Sequence, residues 1–515
     1  MPQKRSSGVL LHITSLPGLY GCGGLGPEAL AFAEMLSARG FSHWQLLPLT
    51  PTEEISGNSP YSAPSAFAGN LLLISPEALF EEGLVSKEEL ARWEVPSLRA
   101  ASFKHKTECV NALLPAAWKR VKDNPADFAP LSAAFEGFQK EEGWLSAYSL
   151  FVLLKERYGG PWTEWPKEFA EADKKALNKF EKENEESLAL IKFTQFISFR
   201  QLEALRLRCQ ELGISLIGDL PIYIAWDSAD LWNERELFDL RADGTPGSVA
   251  GVPPDYFSAT GQRLGNPLYN WDAMRKDNFA WWRKRISCWL RFCGLLRIDH
   301  FRGLCGCWAI PAEEKTAVNG CWRPVPGDEL LSAFSEGLSG YGPLPLIAED
   351  LGIITDDVRA LMKKYALPGM KVLLFAFGGA DGSNPYLPHN ITTASVVYTG
   401  THDNDTVKGW WEKSSTEEER LVLCDYTGFA VTEENVASLM TRLALASKAS
   451  LAIIPAQDLL SLGADCRMNI PSEPLGNWEW RLLPQEAEKL SSMENGFIGS
   501  LKRLNRLYGR NPRQS

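Results

Sequence analysis

Long apolar stretches are missing from this 515-residue sequence. No run reaches the 18 or so residues that a membrane-spanning helix requires, so no membrane span is expected. No secretory leader is expected either. The opening MPQKRSSGVLLHITSLPG carries basic residues and then a short apolar run that breaks at Pro17 without a small-residue cleavage site. Positive charge is in deficit. A formal net charge of −11 argues against nucleic acid or an anionic membrane as partner, since both are held largely through Lys and Arg. Cysteine pairs at metal-binding spacing are also lacking. The ten cysteines are scattered, and Cys305, Cys307 and Cys321 come nearest to a cluster. A zinc site there lacks a further ligand and a well-spaced pair, so no metal is expected and reduced thiols are the default. There is no GxxxxGK[ST] loop to cradle a phosphate, no cofactor is implied, and no fixed-period repeat points to a solenoid or propeller. Together these absences predict a cytoplasmic protein, and the negative charge does not repel a neutral substrate.

What is present begins with aromatics. Eighteen tryptophans supply flat rings that fill a core or pack against the apolar faces of sugars. Short runs rich in Val, Ile and Leu recur eight times, at 8–13 (GVLLHI), 43–49 (HWQLLPL), 215–221 (SLIGDLP), 295–300 (LLRIDH), 344–350 (LPLIAED), 370–377 (MKVLLFAF), 395–402 (SVVYTGTH) and 451–459 (LAIIPAQDL). Such runs read as strands buried on both faces. Helical patterns at 29–40, 280–294 and 355–366 separate several of them. Eight strands alternating with helices predict a (β/α)8 barrel.

The spacing is uneven. About 165 residues separate the second run from the third, far more than a crossover helix needs. The mixed-charge stretch 77–190 reads as a mostly helical insertion, followed by a helix over about 187–212 that returns the chain to the barrel. A second insertion, 222–280, reads as loop-rich and close to the active site, because 241–271 is dense in Gly, Pro and aromatics. The whole of 1–515 then forms one catalytic barrel unit.

In such a barrel the chemistry sits at the C-terminal ends of the strands. The third run ends with Asp219, the fourth with Arg297, Asp299 and His300, the fifth with Glu349 and Asp350, and the seventh with His402, Asp403, Asn404 and Asp405. One charge at a strand end is often a helix cap. Four strands delivering carboxylates to one rim suit glycosidic-bond cleavage, which needs one carboxylic acid to protonate the leaving oxygen and one carboxylate to attack or activate water. Arg297 and Asp299 lie two apart on a strand and face the same side. The guanidinium favours ionised Asp299 as nucleophile. Glu349 as the acid requires a raised pKa, and Asp403 beside His402 suits gripping sugar hydroxyls.

LRIDHFRG (296–303), LIAEDLG (346–352) and YTGTHDNDT (398–406) resemble the strand-four, strand-five and strand-seven motifs of the amylomaltase or disproportionating-enzyme family, the 4-α-glucanotransferases of glycoside hydrolase family 77. GVLLHITSLPG (8–18), GNSPYSAPSAFAGN (57–70), IGDLPIYIA (217–225), AGVPPDYFSATGQRLGNPLYNW (250–271) and RMNIPSEPLGNWEWR (467–481) resemble further family segments in the same order. The resemblance implies a (β/α)8 barrel with partly helical inserted subdomains and no separate C-terminal β-domain. It implies Asp299 as nucleophile, Glu349 as general acid/base and Asp403 as the third, transition-state-stabilising carboxylate. It further implies Tyr61 as a stacking tyrosine, Asp219 as a sugar-binding aspartate, Arg297 and His402 as contacts at the cleavage point, and Tyr256 and Phe257 in a loop that closes over the glucan. Asn266, His300, Asn404 and Asn469 complete the implied sugar-contacting set. For Asp219 and Asn469 the alternative is a turn cap.

The sequence departs from the family pattern at Ile13, where many relatives have proline, and at Gly24, where aspartate is common. Leu264 stands where tryptophan is frequent, and Ser472 and Glu473 replace a Gly-Thr pair. The resemblance implies transfer of a segment of an α-1,4-glucan to the 4-hydroxyl of glucose or another glucan by retaining double displacement. Malto-oligosaccharides or starch- and glycogen-derived glucans are the implied substrates. Two alternatives stand beside it: an α-amylase-like retaining hydrolase built on the same residues, and a glycan-binding protein without catalysis.

Overall fold

The structure, a computed structural model, describes residues 5–511 apart from 255–257, 339, 341–342, 380, 472, 474 and 493–495. Barrel strands β1 (Ser6–Leu10), β2 (His43–Gln45) and β3 (Ser215–Pro221) come first. Strands β4 (Ser248–Val252) and β5 (Gln262–Pro267) belong to a separate sheet, β6 (Leu295–Asp299) rejoins the barrel, and β7 (Gly306–Pro311) and β8 (Cys321–Pro324) return to the separate sheet. The barrel closes with β9 (Leu346–Ala348), β10 (Gly369–Val372), β11 (Ser395–Tyr398) and β12 (Leu451–Pro455).

The eight barrel strands pair in parallel in the order β1-β12-β11-β10-β9-β6-β3-β2, the topology that the alternating pattern predicts. Each of the eight apolar runs contributes one strand, shorter than the run itself except at β3, which spans all of 215–221. The residues left over at the C-terminal ends turn into the rim: Leu373–Phe375 forms a 3₁₀ turn and Ala456–Leu459 a short helix. At one seam a Cβ on Gly8 would stand 2.5 Å from the His43 carbonyl oxygen, so the close approach of β1 to β2 requires glycine.

Around the barrel the helices bury one face each. Pro27–Ala38 starts on a proline at its first turn and buries Ala29, Phe32, Ala33 and Leu36, a spacing that makes one stripe on a helix. Phe32 then packs against Trp44 of β2 with ring centroids 4.8 Å apart.

Between β2 and β3, residues 77–190 carry helices and no strand among the described residues, with Phe103–Asp123, Ala129–Glu141 and Leu145–Tyr158 as the main ones. The first two enclose a core of their own around Val110, Leu113, Leu114 and Phe135, joined by Phe193 and Phe196. Helix Glu185–Glu211 carries Phe193, Phe196 and Ile197 into that core and, further along, Phe199, Leu202 and Leu205 into the barrel core. One long helix therefore belongs to both and couples them.

The stretch 241–271 differs from the loop expected there. It holds β4 and β5, which with β7 and β8 make a four-stranded antiparallel sheet in the order β5-β4-β7-β8. The pairing that stabilises it is long-range: Val249 lies opposite Ile310, and local Gly and Pro content cannot report a partner some sixty residues away. Among the described residues no helix is long and apolar enough to cross a membrane.

Candidate active site

Register sets the site. In the parallel pair of β3 and β6, Asp219 lies opposite Arg297 and Pro221 opposite Asp299. In the pair of β6 and β9, Ile298 lies opposite Ala348, which brings the next residue, Glu349, level with Asp299. Residues two apart on a strand share a face, so Asp219, Arg297 and Asp299 all turn into the barrel mouth.

Arg297 divides its guanidinium between two carboxylates. Nη1 donates to both oxygens of Asp219, at 2.8 and 2.7 Å, and Nη2 lies 2.8 Å from Asp299 Oδ1. The Asp219 side chain has no exposed surface and that of Arg297 only 4%, whereas Asp299 keeps 29% of its side chain open to the cleft. Burial works against the charge on Arg297, and the Asp219 and Asp299 carboxylates more than offset it, holding the group above its usual range. Tyr61 donates its hydroxyl to Asp219 Oδ2 at 2.8 Å.

Glu349 is placed by backbone. Oε2 accepts the His300 N–H at 2.8 Å and Oε1 the Leu351 N–H at 3.0 Å. His300 adopts a left-handed conformation with φ of 53°, an uncommon state for a residue with a side chain and one that recurs at functional sites. Burial pushes the Glu349 carboxyl up to about 7, with the Asp299 charge adding to it. Arg297 and the two N–H donors pull the other way.

Asp403 stands on the opposite side of the mouth. Its Oδ1 accepts from Asn469 Nδ2 at 2.7 Å, its Oδ2 lies 3.3 Å from His402 Nε2, and its backbone carbonyl accepts from Arg467 at 2.6 Å. Tyr61 stacks on His402 with centroids 5.2 Å apart and planes 14° from parallel, and Trp478 backs both rings at 5.7 and 6.0 Å. One aromatic wall thus links the Asp219–Arg297–Asp299 group to Asp403.

These groups open onto a cleft of about 1030 Å³, at the upper end of the range for small-molecule sites. Of the residues singled out from the sequence, Tyr61, Asn266, Arg297, Asp299, His300, Glu349, Asp403 and Asn404 line it. Asp219, His402 and Asn469 lie directly behind that lining. Asp219 differs from a sugar contact, because its two oxygens are taken by Arg297 and Tyr61 beneath the floor. Asn266 donates its amide to the Ile224 carbonyl at 2.8 Å, and Asn404 accepts from Thr401 N–H at 2.9 Å, so each also shapes its own loop. Tyr256 and Phe257 lie outside the described residues, as does Ser472. Leu264 lines the cleft and is 43% exposed. Ile13 is fully buried, and neither it nor Gly24 belongs to the cleft lining.

Some members of the site went unrecognised. Arg467 and Trp478 sit inside the RMN and GNWEWR segments, where only Asn469 was picked out. Phe375, at the end of the sixth apolar run, and Tyr386 pack edge-to-face at 5.5 Å on one wall of the cleft. Gln262, inside the 250–271 segment, and Trp322, which lies in none of the quoted segments, also border the cleft.

The chain matches, over residues 11–486, a family model described as 4-alpha-glucanotransferase, glycoside hydrolase family 77. It is 44% identical to the 4-alpha-glucanotransferase of Aquifex aeolicus over 508 residues, covering 98% of this chain and 99% of that one. It is also 44% identical to the 4-alpha-glucanotransferase of Thermus thermophilus, covering 94% of this chain and 96% of that one. Among solved structures it resembles the amylomaltase from Streptococcus agalactiae in complex with acarbose, with a TM-score of 0.92 and 35% identity over 98% of this chain and 100% of that chain. The amylomaltase from Corynebacterium glutamicum shares the fold, at a TM-score of 0.73 and 18% identity, with 98% of this chain and 74% of that one covered.

Proposed function

Because the chain belongs to the glycoside hydrolase 77 family of 4-α-glucanotransferases, we propose that Asp299, Glu349 and Asp403 carry its glucan transfer and that the residues around them hold the sugar. The activity is transfer of a segment of an α-1,4-glucan to the 4-hydroxyl of glucose or of another α-1,4-glucan, with retention of configuration. The observation that carries the assignment is the contrast between two neighbouring carboxyls. Both are half-buried; Asp299 is ion-paired with Arg297 at 2.8 Å, while desolvation raises the Glu349 carboxyl to about 7. Environments that separate two acids in this way mark a nucleophile and an acid.

In the first step an Asp299 oxygen attacks the anomeric carbon. The bond to the bridging oxygen breaks, and Glu349 gives its proton to that oxygen as the shortened chain leaves. A glucosyl ester on Asp299 remains. In the second step Glu349, now ionised, takes the proton from the 4-hydroxyl of an acceptor, whose oxygen attacks the anomeric carbon and frees Asp299. Arg297 orients Asp299 and balances its charge when the ester opens. Asp403, fixed by Asn469 and next to His402, grips hydroxyls of the sugar at the cleavage point, with the Tyr61 ring beside them. Asp219 acts one layer below by fixing Arg297. We assign Asn266, His300 and Asn404 to the sugar-contacting lining, and Tyr256 and Phe257 to the loop over the bound chain. Malto-oligosaccharides and chains derived from starch or glycogen are the proposed substrates. Residues 77–190, with a core of their own, are proposed as a helical subdomain, and 222–280 as the insertion that shapes access to the cleft, both serving one catalytic barrel unit.

The test is incubation with maltotriose in the absence of phosphate, following chain lengths and total reducing ends. A ladder of longer oligosaccharides at nearly constant reducing ends, lost in Asp299→Asn, supports the assignment. A ladder that persists in Asp299→Asn sinks it.

A further inference from the structure

One wall of the cleft is built from residues that the two chemical steps do not use. Trp322 lies on β8, an edge strand whose four residues are all exposed, and the residue itself is 43% exposed. Free surface tryptophans are ordinarily loose. This one is braced from two sides. Trp308, its cross-strand partner on β7, packs edge-on with centroids 5.2 Å apart and planes at 67°, and Trp308 is itself anchored by its indole N–H to the Ala317 carbonyl at 2.8 Å. The Arg302 guanidinium lies over the Trp322 ring at 4.1 Å from its centroid, a cation–π contact. Arg302 in turn donates from Nη1 to the Ile353 carbonyl at 2.6 Å and to the Thr355 hydroxyl at 3.4 Å. It stands in the 3₁₀ turn Phe301–Leu304, directly after the strand that ends in Asp299. Trp322, Arg302, Ile353 and Asp299 line one continuous cleft.

We infer that Trp322, braced by Arg302, is a stacking platform for a glucosyl unit of the bound chain beyond the cleavage point, and that it sets the preference for chain length. The guanidinium covers part of the ring, and the exposed remainder of Trp322 is the surface that would meet the C–H face of a pyranose. Because its orientation is already fixed, little side-chain freedom is lost when the sugar docks. A contact remote from the reacting bond adds affinity for chains long enough to reach it and leaves the chemistry of short chains unchanged. The inference rests on the transferase reading and deepens it.

The experiment compares wild type with Trp322→Ala and Trp322→Leu in disproportionation of maltotriose and of maltoheptaose, measuring kcat and KM for each donor. In both variants KM for maltoheptaose is expected to rise about tenfold, the loss of one aromatic stacking contact. Its kcat, and kcat/KM for maltotriose, stay within about twofold of wild type. Trp322→Phe, which keeps a flat ring, restores most of the long-donor affinity. The leucine variant retains apolar volume for packing against Trp308, so it decides the matter if the alanine variant does not fold. Equal losses on both donors, or unchanged KM for maltoheptaose, overturn the inference. Wild type giving no ladder from maltotriose sinks the transferase reading itself, whereas a wild-type ladder with Trp322 variants blind to chain length sinks only the platform.

Discussion

Asp299 lies 2.8 Å from Nη2 of Arg297, the end of the guanidinium left free when Asp219 occupies Nη1. The proposed nucleophile is thus held by a cation that is itself fixed from beneath, and it stays the more exposed of the two carboxylates. An arrangement of this kind orients a charged side chain without relying on its own burial.

Removing the lower partner tests that support. Asp219→Ala leaves a buried guanidinium with one carboxylate instead of two, and truncating one member of a buried ion pair typically costs about 3–5 kcal/mol. Denaturant unfolding at pH 7 should register a loss of that size. The Asp299→Ala variant, which opens only the solvated side of Arg297, loses less.

The pH profile follows from Glu349. Its carboxyl must carry a proton to act as the acid, and its pKa stands near 7. Initial rates at low substrate should therefore fall about tenfold per pH unit above that value, the alkaline limb of kcat/KM. The same shift makes a stability statement. A carboxyl whose folded pKa is raised binds its proton more tightly in the folded state. Its stabilisation is full below the unfolded value of about 4.5 and is lost as pH rises through 7. Glu349→Gln escapes that loss. It should be inactive yet gain on wild type in thermal melts as pH rises from 4.5 to 8, by up to about 3 kcal/mol.

Asn469 is predicted to position Asp403. Its amide donates to Asp403 Oδ1 at 2.7 Å, and a hydrogen bond to a charged group contributes about 1.5–3 kcal/mol. Steady-state kinetics of Asn469→Ala should show kcat lowered about 10- to 100-fold, with KM changed much less. A variant with normal kcat would return Asn469 to the role of a turn cap.

Leu264 occupies an exposed place on the cleft wall. Leu264→Trp supplies a ring there, and an aromatic stacking contact is worth about 0.5–1.5 kcal/mol. The expected outcome is a KM for the acceptor lowered by up to about tenfold and a product distribution moved to different chain lengths, read by chromatography of the maltotriose products.

The sequence by itself determined the barrel and the strand-end positions of the carboxyls proposed to react. A buried parallel strand announces itself as a short apolar run, and an amphipathic helix as a stripe of period 3.6, so both are visible within a window of a dozen residues. Asp299, Glu349 and Asp403 could be read because each ends such a run, where a barrel presents its chemistry. What only the tertiary structure decided depends on residues that are distant in the chain. The register that sets Asp219 opposite Arg297 turned an expected sugar ligand into the support for a guanidinium. Pairing between Val249 and Ile310 made strands of a Gly- and Pro-rich stretch. The proton on Glu349 comes from burial and from the neighbouring Asp299, and the platform at Trp322 from the guanidinium that covers part of its ring. Burial, register and electrostatic neighbourhood are properties of the packed chain, which no local window contains.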